Sequence, residues 1–199
     1  VNRLIDGYRR FRTGHWQHHR ERYEDLNERQ TPSVCVISCC DARVDPVSIF
    51  DAQPGDLFVI RNVANLAPPF RAGEGLQGTS TAIEFAVRKL CVELILVLGH
   101  ARCGGIKAAI EGPATDAVFM RQWVGLIDAA KARAGTDADA LERESIKVSL
   151  ERLTTFPFVA EAVRSRKLRL AGARFSIFDG RLEILDSDGT FKYVDDATR

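Results

Sequence analysis

Short runs that are apolar at every position alternate along this chain with longer stretches that are apolar on one side only. Val34–Ile37, Leu57–Ile60 and Leu94–Leu98 belong to the first kind. Apolar side chains on both faces are the mark of central strands in a parallel sheet. The Pro54-Gly55 turn introduces the second run. Amphipathic stretches lie between and after them. Thr81-Ala82-Ile83-Glu84 reads as a capping box opening a helix to about Lys89. Helices are predicted over 103–111, 117–133 and 138–154, with Gly135 in the last link, and a short one starts at Pro157. Phe175–Phe178 and Leu182–Leu185, joined through Asp179-Gly180, predict a closing strand and its hairpin partner. Residues 1–28 read as two polar helices broken at Thr13-Gly14, and 65–78 as a loop rich in Pro and Gly. The alternation predicts an α/β fold, a mainly parallel β-sheet flanked by α-helices. No repeat or composition break divides it, so residues 1–199 are expected to form one domain with 1–28 as a helical arm.

Composition removes several classes of function. Lys and Arg total 28 against 27 Asp and Glu, a net charge of +1. That balance makes no electrostatic case for nucleic acid or a membrane surface. No apolar run nears the roughly 20 residues of a membrane span, and the charged first dozen residues lack a signal-peptide core. Five cysteines in 199 residues are too few, and odd in number, for a secreted disulfide framework. A reducing, cytoplasmic setting is expected, where thiolates stay free for metal.

Three of those thiol and imidazole groups carry the chemistry. Cys39 follows the first run, and His100 and Cys103 follow the third. Adjacent parallel strands present their carboxyl ends together, so the three can meet in one crevice. Two thiolates and a neutral imidazole balance Zn²⁺ and leave its fourth position open, the form of a catalytic site. Cys103 opens a helix, whose positive end favours the thiolate. Asp41 stands two residues beyond Cys39 and Arg43 four beyond. Such an aspartate can close the fourth position or accept a hydrogen bond from a zinc-bound hydroxide. A bidentate pair with Arg43 would decide for the second and lower the Asp41 pKa.

Other candidates read as structure. Cys35 and Cys91 are expected in the core, and Cys40 points away if Cys39 points in. His15, His18 and His19 lack acidic or thiol partners and read as a solvated or subunit-packing face. Gly73–Gly78 matches G-x-G-x-x-G, but it follows a Pro-rich loop where a dinucleotide site needs a strand.

Cys39-Cys40-Asp41-Ala42-Arg43 matches the C-x-D-x-R motif, and His100-Ala101-Arg102-Cys103 the H-x-x-C motif, of the β-class carbonic anhydrases. Gly104-Gly105 match the glycines that follow, and Arg61–Leu66 resembles the family's R-N-x-A-N block. The chain resembles that family over essentially its whole length. The resemblance implies zinc on Cys39, His100 and Cys103, an Asp41–Arg43 dyad, and hydration of carbon dioxide to bicarbonate and a proton. It implies a homodimer or larger assembly, with the N-terminal helices across a partner subunit. It further implies Gln30 as a donor to bicarbonate, Phe58, Val63 and Phe85 as the apolar side of the pocket, and Gly104 beside the substrate. Gln30 and Pro68-Pro69-Phe70 resemble the open, plant-like type, in which Asp41 stays off the metal; in the closed type Asp41 would be a ligand. Phe85 departs from the tyrosine of open-type sequences, and Ala42 from a common serine. Three alternatives use the same residues. Hydrolysis of carbonyl sulfide or carbon disulfide needs the same zinc set. A Cys39–His100 nucleophilic hydrolase would not need Cys103. A non-catalytic zinc module would not need the dyad.

Overall fold

The computed structural model describes residues 1–73 and 77–194, so the G-x-G-x-x-G string lies partly outside the described residues. In chain order the elements are α1 (Asn2–Thr13), α2 (His15–His18), α3 (Arg20–Glu28), β1 (Val34–Cys39), α4 (Pro46–Ile49) and β2 (Leu57–Asn62). There follow α5 (Gly78–Glu84), β3 (Leu94–His100), α6 (Gly104–Glu111), α7 (Val118–Val124), α8 (Asp128–Ala134) and α9 (Ala138–Leu153). The chain ends with α10 (Pro157–Arg164), β4 (Arg169–Phe175), β5 (Leu182–Leu185) and β6 (Phe191–Tyr193).

The strands form one sheet in the order β2-β1-β3-β4-β5-β6. The first four are mutually parallel, and β5 and β6 are antiparallel additions. The apolar runs become β1 and β3 at the centre, buried on both faces, and β2 at one edge, where most of its residues are only half-buried. Ser38 pairs with Leu98, so Cys39 and His100 finish neighbouring strands at the same end of the sheet. Cys35, Ile37, Ile95 and Val97 face the α9 side, with Ile146 and Leu153 packed on them. Val36, Leu96, Leu98 and Ala173 fill the opposite face under Val44.

Two glycines let α9 approach. A Cβ on Gly99 would stand 2.7 Å from Ile146 Cδ1 and 2.9 Å from its Cγ1, and one on Gly172 2.7 Å from its Cγ2. Ile146 is fully buried and wedged between both strands.

Several expectations need correction. The strand expected at Phe175–Phe178 is β4, Arg169–Phe175. Arg169, Gly172 and Arg174 interrupt its apolar pattern; Gly172 makes room for Ile146, and Arg174 has buried acidic partners. The hairpin through Asp179-Gly180 is present, with Gly180 at φ 73°. Helix 117–133 is broken by a 3₁₀ turn at Gly125–Ile127. Thr81 caps nothing, because α5 already begins at Gly78 and the Thr81 hydroxyl donates to the Gln77 carbonyl. The arm breaks twice, at Gly14 and His19. Cys91 is exposed, at φ 55°. Cys35 is buried as expected, and burial pushes its thiol up to about 12. The histidines of α2 stay at the surface, with His15 and His19 rings 4.2 Å apart. No helix among the described residues is long and apolar enough to cross a membrane.

Gly99→Ala is expected to destabilise the protein by about 1–3 kcal/mol, because Ile146 has nowhere to go. Gly104→Ala, with nothing within 4 Å of the new carbon, should leave the urea midpoint nearly unchanged. An unaltered midpoint for Gly99→Ala would show that Ile146 is not wedged.

Candidate metal centre

Cys39 is the last residue of β1, His100 the last of β3, and Cys103 the N-cap of α6. Their ligand atoms all lie within 4.8 Å of one another, and all three residues are buried. The sulfurs of Cys39 and Cys103 are 3.9 Å apart. His100 Nδ1 lies 2.9 Å from the Ala101 carbonyl, which fixes the proton on that nitrogen. Its Nε2 is buried and has no hydrogen-bond partner. An orphaned buried nitrogen beside two sulfurs is a costly arrangement unless a cation collects all three. Two Zn–S bonds of about 2.3 Å at a tetrahedral angle would separate the sulfurs by about 3.8 Å. The donor set therefore fits zinc in both chemistry and spacing.

Electrostatics agree. The hydrogen bond from the Cys103 thiol lowers the Cys39 pKa, with help from His100. That same bond, together with burial, raises Cys103. The two sulfurs thus compete for one proton, and a divalent cation would release it. Burial pulls the His100 pKa down, but the neighbouring Cys39 sulfur, the Ala101 carbonyl and the Asp41 charge carry it up overall.

The loops that carry the ligands are tied down. Arg61 donates to the carbonyls of Cys39 (3.0 Å), Asp41 (2.8 Å) and Val44 (2.7 Å). Arg102, between His100 and Cys103, has φ 56°, a left-handed conformation that costs an L-residue energy. Ala101 N–H donates to the Phe175 carbonyl at 2.8 Å, and Arg43 Nη2 to the Arg102 carbonyl at 3.2 Å.

Asp41 and Arg43 form the expected bidentate pair. Arg43 Nε reaches Oδ1 at 2.9 Å and Nη2 reaches Oδ2 at 2.7 Å. The Arg43 peptide N–H also donates to Oδ1, at 3.0 Å. These bonds hold the Asp41 carboxyl well below the usual range. Asp41 Oδ2 stands 3.9 Å from His100 Nε2, beside the cluster.

The remaining candidates divide into two groups. Val63 packs with Cys39 and Cys103, and its carbonyl accepts from Trp123 Nε1 at 2.8 Å. Gly104 starts α6 with open space around it. Phe58 and Phe85 stack on each other, centroids 5.9 Å apart, but not on the cluster. Phe58 pairs with Cys35, four residues or about 13 Å of strand before Cys39. Gln30 is exposed ahead of β1 and makes no hydrogen bond to the cluster. An open groove of ≈ 1250 Å³ lies beside Val63 and Cys40, walled by Phe119, Met120 and Trp123.

A parallel α/β sheet that ends two strands on a Cys–His–Cys donor set defines an α/β metalloprotein, and the comparisons specify which. The carbonic anhydrase family model matches residues 34–182. The chain is 34% identical over 201 residues to beta carbonic anhydrase 3 of Arabidopsis thaliana, covering 94% of this chain and 78% of that protein. It is 40% identical over 176 residues to the chloroplastic beta carbonic anhydrase 5 of the same plant, covering 82% and 57%. Among solved structures it resembles the β-carbonic anhydrase CcaA, with TM-score 0.91, 31% identity and coverage of 97% and 98%. It also resembles a tetrameric β-carbonic anhydrase of Sordaria macrospora, with TM-score 0.73, 26% identity and coverage of 96% and 94%. The chain belongs to the carbonic anhydrase family and is an enzyme of the β class.

Sequence reading passed over the side chains that hold the site without touching it. Arg61 was visible only as part of a matched block. Glu142 sits at a buried position of the stripe Leu141, Ser145, Ile146, Ser149 on α9. A carboxylate placed where a helix should turn an apolar face inward was the available signal.

A lowered pKa places the Asp41–Arg43 pair's stabilisation fully in force above the ordinary carboxylate value of about 3.9. It fades only as pH falls through the lower folded value. Asp41 is therefore ionised across the neutral range. Asp41→Asn should reduce kcat by roughly 10- to 100-fold, and by the same factor from about pH 6 to 9. Convergence of the two pH–rate profiles toward acid would show instead that Asp41 titrates there.

Proposed function

We propose that the chain catalyses reversible hydration of carbon dioxide to bicarbonate and a proton, with one Zn²⁺ held by Cys39 Sγ, His100 Nε2 and Cys103 Sγ. The observation that carries this reading is the unpartnered His100 Nε2 facing two sulfurs, with an Arg-clamped carboxylate 3.9 Å away. Zinc there supplies a Lewis acid that lowers the pKa of a coordinated water and so provides a nucleophile at mild pH.

The side chains supply the rest. Ionised Asp41 only accepts hydrogen bonds. Its Oδ2 holds the hydrogen of the nucleophile and turns a lone pair toward the substrate. Arg43 keeps that carboxylate from moving onto the metal, because doing so would break two charge-assisted bonds. This is the open type of site. Val63 offers an apolar wall to a small, uncharged, linear substrate, and the free backbone N–H at Gly104 lies at a helix start, where product anion is favoured.

Gln30, Phe58 and Phe85 act, in this reading, on the site of a second copy. Gln30 precedes β1, Phe58 lies near the start of β2, and Phe85 stacks on Phe58 from the helical turn that follows α5. The arm just ahead of Gln30 leaves Leu4, Tyr8 and Phe11 exposed, and one structural relative is a tetramer. A homodimer would cover the arm and complete two sites at once. Unpaired thiols suit a reducing compartment, with the cytosol the reading from cysteine usage, although one relative is named as chloroplastic.

Stopped-flow assays on protein of known zinc content test the chemistry. Fast hydration at about one zinc per chain is expected, rising toward alkaline pH because two thiolates make the water less acidic, and lost in Cys103→Ser. Stoichiometric zinc with carbonyl sulfide or carbon disulfide turnover, and no hydration, would assign the site to those substrates instead. Mixing Cys103→Ser with Gln30→Ala subunits tests the shared site. Random re-association into dimers should restore about a quarter of wild-type sites. Activity no higher than the sum of the parents would put Gln30 in its own subunit's site.

A further inference from the structure

Behind the metal ligands lies a buried chain of alternating charges. Glu142 on α9 is only 3% exposed. Its Oε1 accepts from the Cys103 peptide N–H at 3.2 Å. Its Oε2 accepts from Arg174 Nε at 2.9 Å and Nη2 at 2.7 Å. Arg174 Nη2 also reaches Asp139 at 2.7 Å, and its Nη1 lies 3.6 Å from Glu183. Arg143 closes the chain on Glu183 with bonds of 2.9 and 2.7 Å.

We infer that Glu142 and Arg174 are a positioning pair for the ligand Cys103, setting where its sulfur stands and how firmly it holds the metal. The inference rests on the proposed zinc ligation. An N-cap residue usually offers its own side chain to the free N–H groups of its helix. The Gly105 and Ile106 N–H groups stabilise the Cys103 sulfur, which also faces Cys39 and His100, so the sulfur's place depends on how the start of α6 is held. The buried Cys103 N–H takes a carboxylate from α9, a charge-assisted bond stronger than a neutral one. The loop just before it stores left-handed backbone at Arg102 and needs an external tie at each end. Phe175 ties the first end and Glu142 the second. Glu142 could not remain buried and charged alone. Arg174 pairs with it from a position opposite Gly99, one residue before His100. The ion pair thus joins β4, the strand beside His100, to α9, whose Glu142 holds the N-cap of α6.

Glu183 provides the control, because it belongs to the same buried chain and touches no ligand. Zinc-loaded wild type, Glu142→Gln and Glu183→Gln are compared by rate of zinc release to a chelator and by the thiolate charge-transfer band of the Co²⁺ forms. Glu142→Gln should release zinc roughly 10- to 100-fold faster and shift the band. Glu183→Gln should lower Tm comparably, yet keep the wild-type release rate and spectrum. Wild-type release from Glu142→Gln, or equal acceleration in both variants, overturns the proposal. Should Glu142→Gln fail to fold, Arg174→Lys keeps the charge and loses the fork, and it should show a smaller acceleration in the same direction; wild-type release there overturns the proposal equally. A wild type that binds no zinc overturns the ligation itself, a result distinct from tight zinc that ignores Glu142.

Discussion

Two sulfurs 3.9 Å apart and an imidazole nitrogen with no partner, all sealed from water, are the constraint on which this structure turns. Burying one such group costs a few kcal/mol, and burying two thiolates together costs far more unless a cation balances them. The sheet brings them together only because β1 and β3 run parallel in register. An antiparallel arrangement would place Cys39 and His100 at opposite ends. The sharp exit of β3 into α6, through a left-handed Arg102, then returns Cys103 to the same spot. The small residues around the crevice follow from this crowding: Gly99 and Gly172 admit Ile146, and a Cβ on Gly105 would meet Ala64 at 2.8 Å.

Charge is layered around that point by solvent access. On the open side, Asp41 is turned toward the cluster and held by an Arg43 that is half exposed. On the closed side Glu142 faces the same helix start and is held by a wholly buried Arg174. The two carboxylates have different duties because their partners differ in freedom. Arg43 reaches water while it clamps Asp41, so that carboxylate stays at the accessible edge of the crevice. Arg174 is locked between Asp139, Glu142 and Glu183, so Glu142 can serve only geometry. Both arginines also reach the ligand loops: Arg43 through the Arg102 carbonyl, Arg174 through the strand beside Gly99.

The Cys39–His100–Cys103 cluster and the Asp41–Arg43 pair were legible in the sequence because their spacing is local. Cys39, Asp41 and Arg43 lie in five residues, and His100 and Cys103 in four. Uninterrupted apolar runs likewise marked β1, β2 and β3. β4 was displaced because its useful features are a glycine and an arginine, both of which look like strand breakers until their partners on α9 are known. β6, Phe191–Tyr193, is three residues long, too short for any periodicity to show. Glu142 and Arg174 escaped for a related reason. Their meaning rests on contacts across 39 and 32 residues of sequence, and nothing local separates a buried carboxylate from a solvated one.

The position of Phe58 and Phe85 leads one step further. Within a single chain they stack on each other and join the core near Cys35, while Val63 alone of the expected apolar wall meets the cluster. Beside Val63 the apolar surface that one chain offers is the groove walled by Phe119, Met120 and Trp123, and neither Phe58 nor Phe85 is part of it. The chain holds those two rings away from its own cluster, and its arm leaves Leu4 and Tyr8 largely exposed. Catalysis and assembly then answer one physical need, the removal of apolar surface from water. In the proposed shared site, the association that buries the arm also brings Phe58 and Phe85 to the pocket of the second copy.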